Sequence, residues 1–154
     1  MSGPIYPTAR TWNVWFHDLL DERWELDSYE NICTIGSLYD YYLLTARVHD
    51  FKAGMFFLIK DGATPLWEDK AHKAYWSVRV PRNDLDRVWR DIVGMIVGES
   101  LIADERQMAQ ITGASISAKK FNVVVRIWTA DKRSKARFTP VDGVNWSEAW
   151  FKEF

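Results

Sequence analysis

The sequence Lys60-Asp61-Gly62-Ala63-Thr64-Pro65-Leu66-Trp67-Glu68-Asp69 combines turn-forming residues with a tryptophan that is followed directly by a carboxylate. It comes after a short apolar run at residues 54–59, which predicts a buried strand leading into a loop. Asp-Gly and the proline favour a loop over a strand interior. A tryptophan in a loop is poorly placed to fill a core, so we expect Trp67 to be exposed beside a cleft.

Trp67 and Glu68 together have the chemistry needed to bind a flat ligand that carries hydrogen-bond donors. An indole face can stack on a planar ring, and one carboxylate can accept two adjacent N–H groups. Guanine offers both a π-face and such a pair of donors. The sequence therefore predicts a ligand of this kind at the loop.

The composition indicates one domain of modest charge. The chain has 154 residues, with 20 Lys and Arg against 21 Asp and Glu, which gives a net charge of −1. This balance is not typical of a protein that grips long nucleic acid through its backbone. The one cysteine, Cys33, fits a reducing compartment. No apolar run approaches the roughly 20 residues of a membrane span and no signal-peptide pattern opens the chain, so we expect a soluble cytoplasmic or nuclear domain.

Tryptophan is the unusual feature of the composition, with nine in the chain. Most of them are expected to supply core area, because indole rings are large and apolar. Trp24 differs because it stands alone in a charged segment, residues 18–25, which favours a loop over a core position. It is therefore a second candidate for stacking on a ligand.

The remaining pattern predicts strands and helices after an extended arm at residues 1–11. Strands are predicted at residues 10–17, 28–35, 54–59, 75–80, 113–118 and 122–129. Helices are predicted at residues 38–46 and 84–97, and a short amphipathic helix or turn at residues 146–151. Ser37 and Asn83 are the expected N-caps, and Gly98 ends the second helix.

The strand at residues 122–129 has two chemically different faces. The first face is apolar and expected to be core, and it carries Val123, Val125 and Ile127. The second is expected to be partly open or covered by something polar, and it carries Val124, Arg126 and Trp128.

The sequence lacks the patterns of the common catalytic and metal sites. His17, His49 and His72 are isolated, with no cysteine or carboxylate at metal-ligand spacing. There is no nucleophile elbow, phosphate-cradling glycine loop or dinucleotide fingerprint. We therefore expect neither an enzyme nor a metal or cofactor site.

Several residues occur in the order and nearly the spacing of a known family. They are Trp12-x-x-Trp15, Trp24, Lys60-Asp61-Gly62-x-x-Pro65-x-Trp67-Glu68-Asp69, Trp76, Asp84-Leu85-Asp86-Arg87-Val88-Trp89, Val97-Gly98-Glu99-Ser100 and Ile127-Trp128. Over roughly residues 6–130 the chain resembles the eukaryotic mRNA cap-binding translation initiation factors of the 4E type. The resemblance implies an α+β fold, with a curved antiparallel β-sheet, helices packed on its convex face and a ligand cleft on the concave side. It also implies a single cap-binding domain at residues 12–154, after the arm.

The resemblance assigns four residues to the cap base. Trp24 and Trp67 are similar to the two rings that sandwich 7-methylguanine, whose positive charge adds a cation–π contribution. Glu68 is expected to accept the guanine N1 and N2 hydrogens, and Trp128 to pack against the N7 methyl group.

The phosphate end departs from the family pattern. Lys119 stands where the family usually has an arginine, and Val124 where it has a second basic residue. A lysine offers a point charge without the bidentate fork of arginine. Lys119 is expected to contact the triphosphate together with Arg126, which replaces the missing charge. Lys120 and Lys132 are alternatives.

The convex face of the family binds helical partners, such as the scaffold initiation factor and inhibitory 4E-binding proteins. The matching positions here are Tyr6, Pro7, Leu38, Tyr42, Trp89, Arg90 and Asp91. Arg90 and Gly94 stand at two positions that are apolar in the family. Because an arginine in a partner groove costs affinity unless the partner brings an acid, we expect a changed set of partners.

Two hypotheses follow for the function. In the first, the chain is a non-enzymatic protein that binds the 7-methylguanosine 5′ cap of mRNA, in translation initiation or its regulation. In the second, it is a 4E-like interaction module or translational repressor with weak or no cap binding. The retention of Trp24, Trp67 and Glu68 favours the first, whereas the altered phosphate site and Arg90 favour the second.

Overall fold

The computed structural model describes residues 6–47, 54–118 and 123–154, which form one sheet with helices against one of its faces. The strands are β1 (Pro7–His17), β2 (Tyr29–Ser37), β3 (Met55–Lys60), β4 (Ala74–Val80), β5 (Ile111–Ala118), β6 (Val123–Thr129) and β7 (Trp150–Glu153). The helices are α1 (Leu38–Arg47), α2 (Leu85–Val97) and α3 (Glu105–Ala109).

All strand pairs are antiparallel, and the strands lie in the order β2-β1-β3-β5-β6-β4-β7. β1 and β2 form a hairpin whose loop, residues 18–28, carries Trp24. β3 and β4 are separated in the sheet by β5 and β6, so the loop at residues 61–73 crosses one end of the sheet. The expected α+β fold with a curved antiparallel sheet is confirmed.

The convex face of the sheet carries the main core. On β6, Val123, Val125 and Ile127 are buried in the same cluster as the helices, as the alternation predicts. The residues of α2 that join this cluster are Leu85, Val88, Trp89, Ile92, Val93, Ile96 and Val97. Their three- and four-residue spacing gives α2 one apolar stripe, which explains why this helix lies flat on the sheet.

The concave face carries a smaller apolar cluster. Phe57 and Ile59 of β3 are buried there, with Trp15 and Tyr29 packed against them. Because successive side chains of a strand point to opposite faces, Phe56 and Leu58 of the same strand belong to the main core instead.

β1 begins at Pro7, so the extended arm expected at residues 1–11 is wrong for residues 7–11. A proline is tolerated as the first residue of a strand, where a ladder hydrogen bond is not needed from it. Arg10 then connects this part of β1 to α3 and the start of β5. Its guanidinium group hydrogen-bonds to the carbonyl oxygens of Met108, Ala109 and Ile111 and pairs with Glu99 at 3.0 Å.

Three helix ends have identifiable stabilising contacts. The Oγ of Ser37 accepts a hydrogen bond from the Asp40 N–H at 3.2 Å, which confirms the predicted N-cap of α1. Gly98 follows the last residue of α2, as expected. Asp104 caps α3, a five-residue helix that the sequence pattern did not predict.

The predicted N-cap of α2 is wrong. Asn83 lies inside a 3-10 turn, Arg82–Asp84, and Asp84 takes the N-cap position of α2 without a side-chain hydrogen bond to the helix. The carbonyl oxygen of Pro81 accepts a hydrogen bond from the Asp84 N–H at 3.0 Å, which closes this turn and delays the start of the helix.

The segment at residues 146–151 was expected to be a short helix or turn, and this is only partly correct. Trp146–Glu148 forms a 3-10 turn, but Trp150–Glu153 is the edge strand β7, which pairs with β4. β4 would otherwise leave its outer hydrogen-bonding edge unpaired, and β7 satisfies it. This tertiary pairing is not visible in the local pattern.

Candidate functional site

A cavity of about 640 Å³ opens on the concave face of the sheet. The predicted residues Trp24, Trp67, Trp128 and Arg126 all line it. Trp24 and Trp67 come from the loops at residues 18–28 and 61–73, and the other two from β6. The fold therefore brings together three of the four residues expected at the cap base and one of the two expected at the triphosphate.

The first loop holds Trp24 at the cavity through local hydrogen bonds. Trp24 is 48% exposed, and its indole stacks on the ring of His17 with a centroid distance of 4.2 Å and an angle of 5°. The carbonyl oxygen of Arg23 accepts hydrogen bonds from His17 Nε2–H at 2.7 Å and from the Ser28 hydroxyl at 3.0 Å. The backbone just before Trp24 is thus fixed on both sides of the loop.

The second loop holds Trp67, which is 59% exposed. Its geometry depends on Asp69, whose carboxylate accepts hydrogen bonds from the Thr64 N–H at 2.8 Å, the Thr64 hydroxyl at 2.8 Å and the Ala71 N–H at 2.9 Å. Burial alone would raise the pKa of this carboxyl, but the hydrogen bonds to its charged form together lower it. Asp69 is therefore a structural residue of the loop, whereas its neighbour Glu68 is exposed.

The buried side chain of His72 holds the same loop. Its Nε2–H donates to the carbonyl oxygen of Thr64 and its Nδ1 accepts from the hydroxyl of Thr112, each at 2.8 Å. Burial lowers the pKa of the imidazole, although the hydrogen bond to Thr64 and the charge of Asp69 act in the opposite direction. The neutral ring satisfies both hydrogen bonds, and its edge packs against Trp128 at a centroid distance of 4.9 Å.

The floor of the cavity is set by the pairing of β6 with β5 and β4. Trp128 Nε1–H donates to the Ser115 hydroxyl at 3.1 Å, which fixes the plane of its indole. The guanidinium carbon of Arg126 lies 4.9 Å from the centroid of the Tyr75 ring. This cation–π contact keeps the arginine on the concave face, where its strand position predicts it.

Two predicted ligand contacts lie outside the cavity lining or outside the described residues. Glu68 does not line the cavity, but it is close enough to act on Tyr29, which does. Burial, with the charge of Glu68 as a smaller cause, raises the pKa of Tyr29 to about 12. Lys119 and Lys120 lie outside the described residues. Lys132 is exposed and is not among the residues that line the cavity.

Four aromatic residues of the cavity lining were not expected from the sequence. They are Tyr29, Phe57, Tyr75 and Phe154. The alternation of β3 and β4 could have indicated Phe57 and Tyr75, since these strands place every second residue on the concave face. Phe154 could not have been found in this way, because it depends on the pairing of β7 with β4.

On the convex side, most of the predicted partner residues are exposed. Tyr6, Leu38 and Tyr42 are 58%, 49% and 63% exposed, and Pro7 and Asp91 are also exposed. The Leu38 N–H donates to the carbonyl oxygen of Tyr6 at 2.8 Å, which joins the first of these residues to the start of α1.

Trp89 is not available to a partner, so its assignment to the partner surface is wrong. Its side chain is 1% exposed, because it belongs to the apolar stripe that α2 turns toward the sheet. The exposed side of α2 meets α1 at a different point. The Tyr41 hydroxyl donates to the carbonyl oxygen of Arg90 at 2.8 Å, and a Cβ atom on Gly94 would lie 2.9 Å from that hydroxyl. Gly94 therefore leaves room for Tyr41 to cross α2.

Two kinds of site are not found among the described residues. In residues 6–47, 54–118 and 123–154, no group of three or more His, Cys, Asp or Glu side chains is placed to hold a metal ion. None of the helices in these ranges is long and apolar enough to cross a membrane.

We predict that His72 makes the stability of the protein fall on mild acidification. Because its pKa is lowered in the folded state, the unfolded chain takes up a proton at a higher pH than the folded chain does. The free energy of unfolding therefore decreases as the pH falls from above the ordinary imidazole value of about 6.5 toward the lower folded value.

Urea unfolding of the wild type and of His72→Gln at about pH 7.5 and about pH 5.5 measures this contribution. The decrease between the two pH values should be smaller in the variant. The pKa of Asp69, which is lowered, keeps that carboxylate ionised throughout this range. An equal decrease in both proteins would show that His72 does not carry the effect.

Sequence comparison with known proteins finds relatives along most of the chain. A family model described as Eukaryotic initiation factor 4E matches residues 7–146. Eukaryotic translation initiation factor 4E from Xenopus laevis is 24% identical over 151 residues, covering 90% of this chain and 68% of the relative. Eukaryotic translation initiation factor 4E1 from Drosophila melanogaster is 27% identical over 136 residues, covering 82% of this chain and 51% of the relative. The chain thus spans about half to two thirds of the length of these relatives.

Solved structures share the fold. The complex of C. elegans eIF4E-3 with the 4E-binding protein Mextli and a cap analog superposes with a TM-score of 0.74 at 24% identity, covering 84% of this chain and 76% of that one. Ascaris suum eIF4E-3 with the m7G cap has a TM-score of 0.72 at 21% identity, covering 83% and 75%. Since the family model spans nearly all of the sequence, the chain belongs to the eukaryotic initiation factor 4E family.

Proposed function

We propose that this chain binds the 7-methylguanosine 5′ cap of mRNA and acts in translation initiation or its regulation, in the cytoplasm. The observation that carries the proposal is that Trp24 and Trp67, on two different loops, line one cavity with about half of each side chain exposed. Leaving two large apolar rings in water costs free energy. A ligand that stacks between them accounts for both.

The chemistry of the cavity suits a methylated guanine. Each indole that stacks on the base contributes roughly 1–3 kcal/mol, and the positive charge of 7-methylguanine adds a cation–π contribution. Glu68, adjacent to Trp67, supplies the acceptor for the N1 and N2 hydrogens. Trp128, held by Ser115, is the ring for the N7 methyl group.

The triphosphate is assigned to Arg126, with Lys119 as the second contact. Arg126 is the cationic side chain in the described lining of the cavity, and it lies two residues from Trp128 on the same strand face. A guanidinium group binds phosphate oxygens in a bidentate manner, so one arginine can replace a more distributed set of charges.

Two solved relatives support this assignment of the ligand. The C. elegans eIF4E-3 structure contains a cap analog and the Ascaris suum eIF4E-3 structure contains the m7G cap, and both share the fold of this chain. Within this chain, internal hydrogen bonds hold both of the loops that carry the indoles. The assignment of the base therefore has more support than that of the triphosphate.

One observation favours the second hypothesis, a 4E-like interaction module or translational repressor with weak or no cap binding. Phe154 lines the cavity and is 49% exposed, with its ring centroid 6.5 Å from that of Trp67 and 5.6 Å from that of Trp128. A base entering between the predicted rings would have to displace Phe154 or share the space with it, and displacement costs affinity.

The convex surface is proposed to bind a scaffold initiation factor or an inhibitory 4E-binding protein. Tyr6, Leu38 and Tyr42 are exposed aromatic or apolar residues that together provide anchors of the type found at protein interfaces. The C. elegans relative is solved with the 4E-binding protein Mextli, and a schistosome eIF4E with a 4E-BP. Arg90 and Asp91 on α2 supply charges that select among such partners.

Titration with 7-methyl-GTP and with GTP tests base recognition. The wild type should bind the methylated nucleotide more tightly, with quenching of tryptophan fluorescence. Glu68→Gln should lower the affinity for 7-methyl-GTP about tenfold or more, because it removes a charged acceptor of two hydrogen bonds. Glu22→Gln, an exposed charge change in the other loop, is the matched control. Equal affinity of the wild type for the two nucleotides would favour the interaction module instead.

Arg126→Ala tests the triphosphate site. It should weaken binding of 7-methyl-GTP about tenfold and leave binding of the 7-methylguanosine nucleoside nearly unchanged, because a charged hydrogen bond to phosphate is lost. Arg106→Ala removes an equal charge from α3, outside the cavity lining, and should change neither affinity. Equal losses for nucleotide and nucleoside would reject Arg126 as a phosphate contact.

Tyr42→Ala tests the convex surface with the 4E-binding fragment of Mextli as the probe. Loss of a central aromatic anchor should lower the affinity for this fragment by about thirtyfold and leave 7-methyl-GTP binding intact. Leu20→Ala, an exposed apolar residue in the Trp24 loop, is the control. Unchanged fragment binding by Tyr42→Ala, with tight binding by the wild type, would place the partner elsewhere.

A further inference from the structure

His17 is a buried polar side chain that the proposed function does not yet use. It is the last residue of β1 and is 0% exposed, although it lies next to the exposed Trp24 loop. Its ring contacts two aromatic rings, Trp24 at 4.2 Å and Tyr29 at 4.7 Å between centroids. Both of these neighbours line the cavity.

His17 makes two kinds of contact with the loop at once. Its ring face lies parallel to the indole of Trp24, with 5° between the planes. Its ring edge donates from Nε2–H to the carbonyl oxygen of Arg23, the residue directly before Trp24. The first contact fixes the plane of the indole, and the second fixes the backbone from which it projects.

Such double restraint matters for an exposed loop residue. A half-exposed indole without a packing partner would populate several rotamers, and ordering it when a ligand binds would cost affinity. The stack on His17 covers one face of the indole and leaves the other available to a planar ligand. Trp24 is thereby held ready on the wall of the cavity before the ligand arrives.

We propose that His17 is a positioning residue for cap recognition: it holds the Trp24 indole so that its second face is presented to the base. This inference rests on the proposed cap-binding function and adds a residue to it. His17 itself does not touch the ligand, because it is fully buried behind Trp24. Its effect on binding must therefore pass through Trp24.

A double-mutant cycle tests whether the effect passes through Trp24. Calorimetric titration with 7-methyl-GTP should show that His17→Leu lowers affinity about tenfold in the wild type but less than about twofold in the Trp24→Ala background. Leu20→Ala, which is in the same loop and 90% exposed, should have no effect. If His17→Leu costs the same in both backgrounds, His17 supports the fold in general and the proposal is overturned.

Replacing His17 with another aromatic residue separates the effect of stacking from that of filling space. His17→Phe keeps an aromatic face for Trp24 and loses only the hydrogen bond to Arg23, so its affinity should be within about threefold of the wild type. An equal loss in His17→Phe and His17→Leu would overturn the stacking argument. If His17→Leu does not fold, as judged by circular dichroism, His17→Asn takes its place in the cycle.

Limited trypsin digestion without ligand gives a readout that is independent of cap binding. Cleavage after Arg23, followed by mass spectrometry, should be faster in His17→Leu than in the wild type, because the loop loses both restraints. Unchanged cleavage would overturn the positioning role. A wild type that does not prefer 7-methyl-GTP over GTP would reject the proposed function alone, and the digestion would still decide whether His17 holds the loop.

Discussion

The antiparallel pairing of β5 with β6 is the constraint on which the rest of the structure depends. It places Val123, Val125 and Ile127 in the core with the helices, and it leaves Arg126 and Trp128 on the opposite face. A shift of one residue in this register would exchange the two faces, which would bury an arginine and expose three β-branched apolar side chains. The same pairing sets Ser115 beside Arg126, so that the Ser115 hydroxyl can fix the indole of Trp128. The main core and the candidate site therefore depend on one register.

The residues on the walls of the cavity are positioned in a different way from those on its floor. The floor is made of strand residues whose positions follow from the ladder, whereas the two indoles on the walls project from loops. Each loop is held by a buried histidine that bonds a backbone carbonyl, His17 with Arg23 and His72 with Thr64. Because the two loops are far apart in the sequence, the sheet is what brings their tryptophans to one cavity. The sheet topology thus brings the residues of the site together, and a few side-chain hydrogen bonds fix the positions of the two loops.

Local patterns predicted much of this arrangement from the sequence. Alternation identified the two faces of β6, the Ser37 cap was visible as a helix start, and the polar surroundings of Trp24 and Trp67 indicated exposed loop positions. The family resemblance then joined distant residues into one site, which local patterns could not have done.

The errors at β7, at Phe154 and at the start of β1 have a common physical cause, which is contact between segments that are far apart. The strand β7 and the position of Phe154 depend on the free edge of β4, and the start of β1 depends on bonds from Arg10 to the region around α3. Trp89 was assigned to the partner surface from the resemblance, although its own periodicity placed it in the apolar stripe of α2. There the periodicity was the better guide. Such long-range pairings leave almost no trace in a window of a few residues.

The contact of Tyr41 with Gly94 has a consequence for which substitutions the convex surface tolerates. The hydroxyl of Tyr41 reaches the Arg90 carbonyl only because position 94 has no side chain, since a Cβ atom there would lie 2.9 Å from it. A side chain at position 94 would require the end of the Tyr41 side chain to move, and this movement would disturb its hydrogen bond to Arg90. A change at position 94 is therefore also a change in how α1 packs against α2.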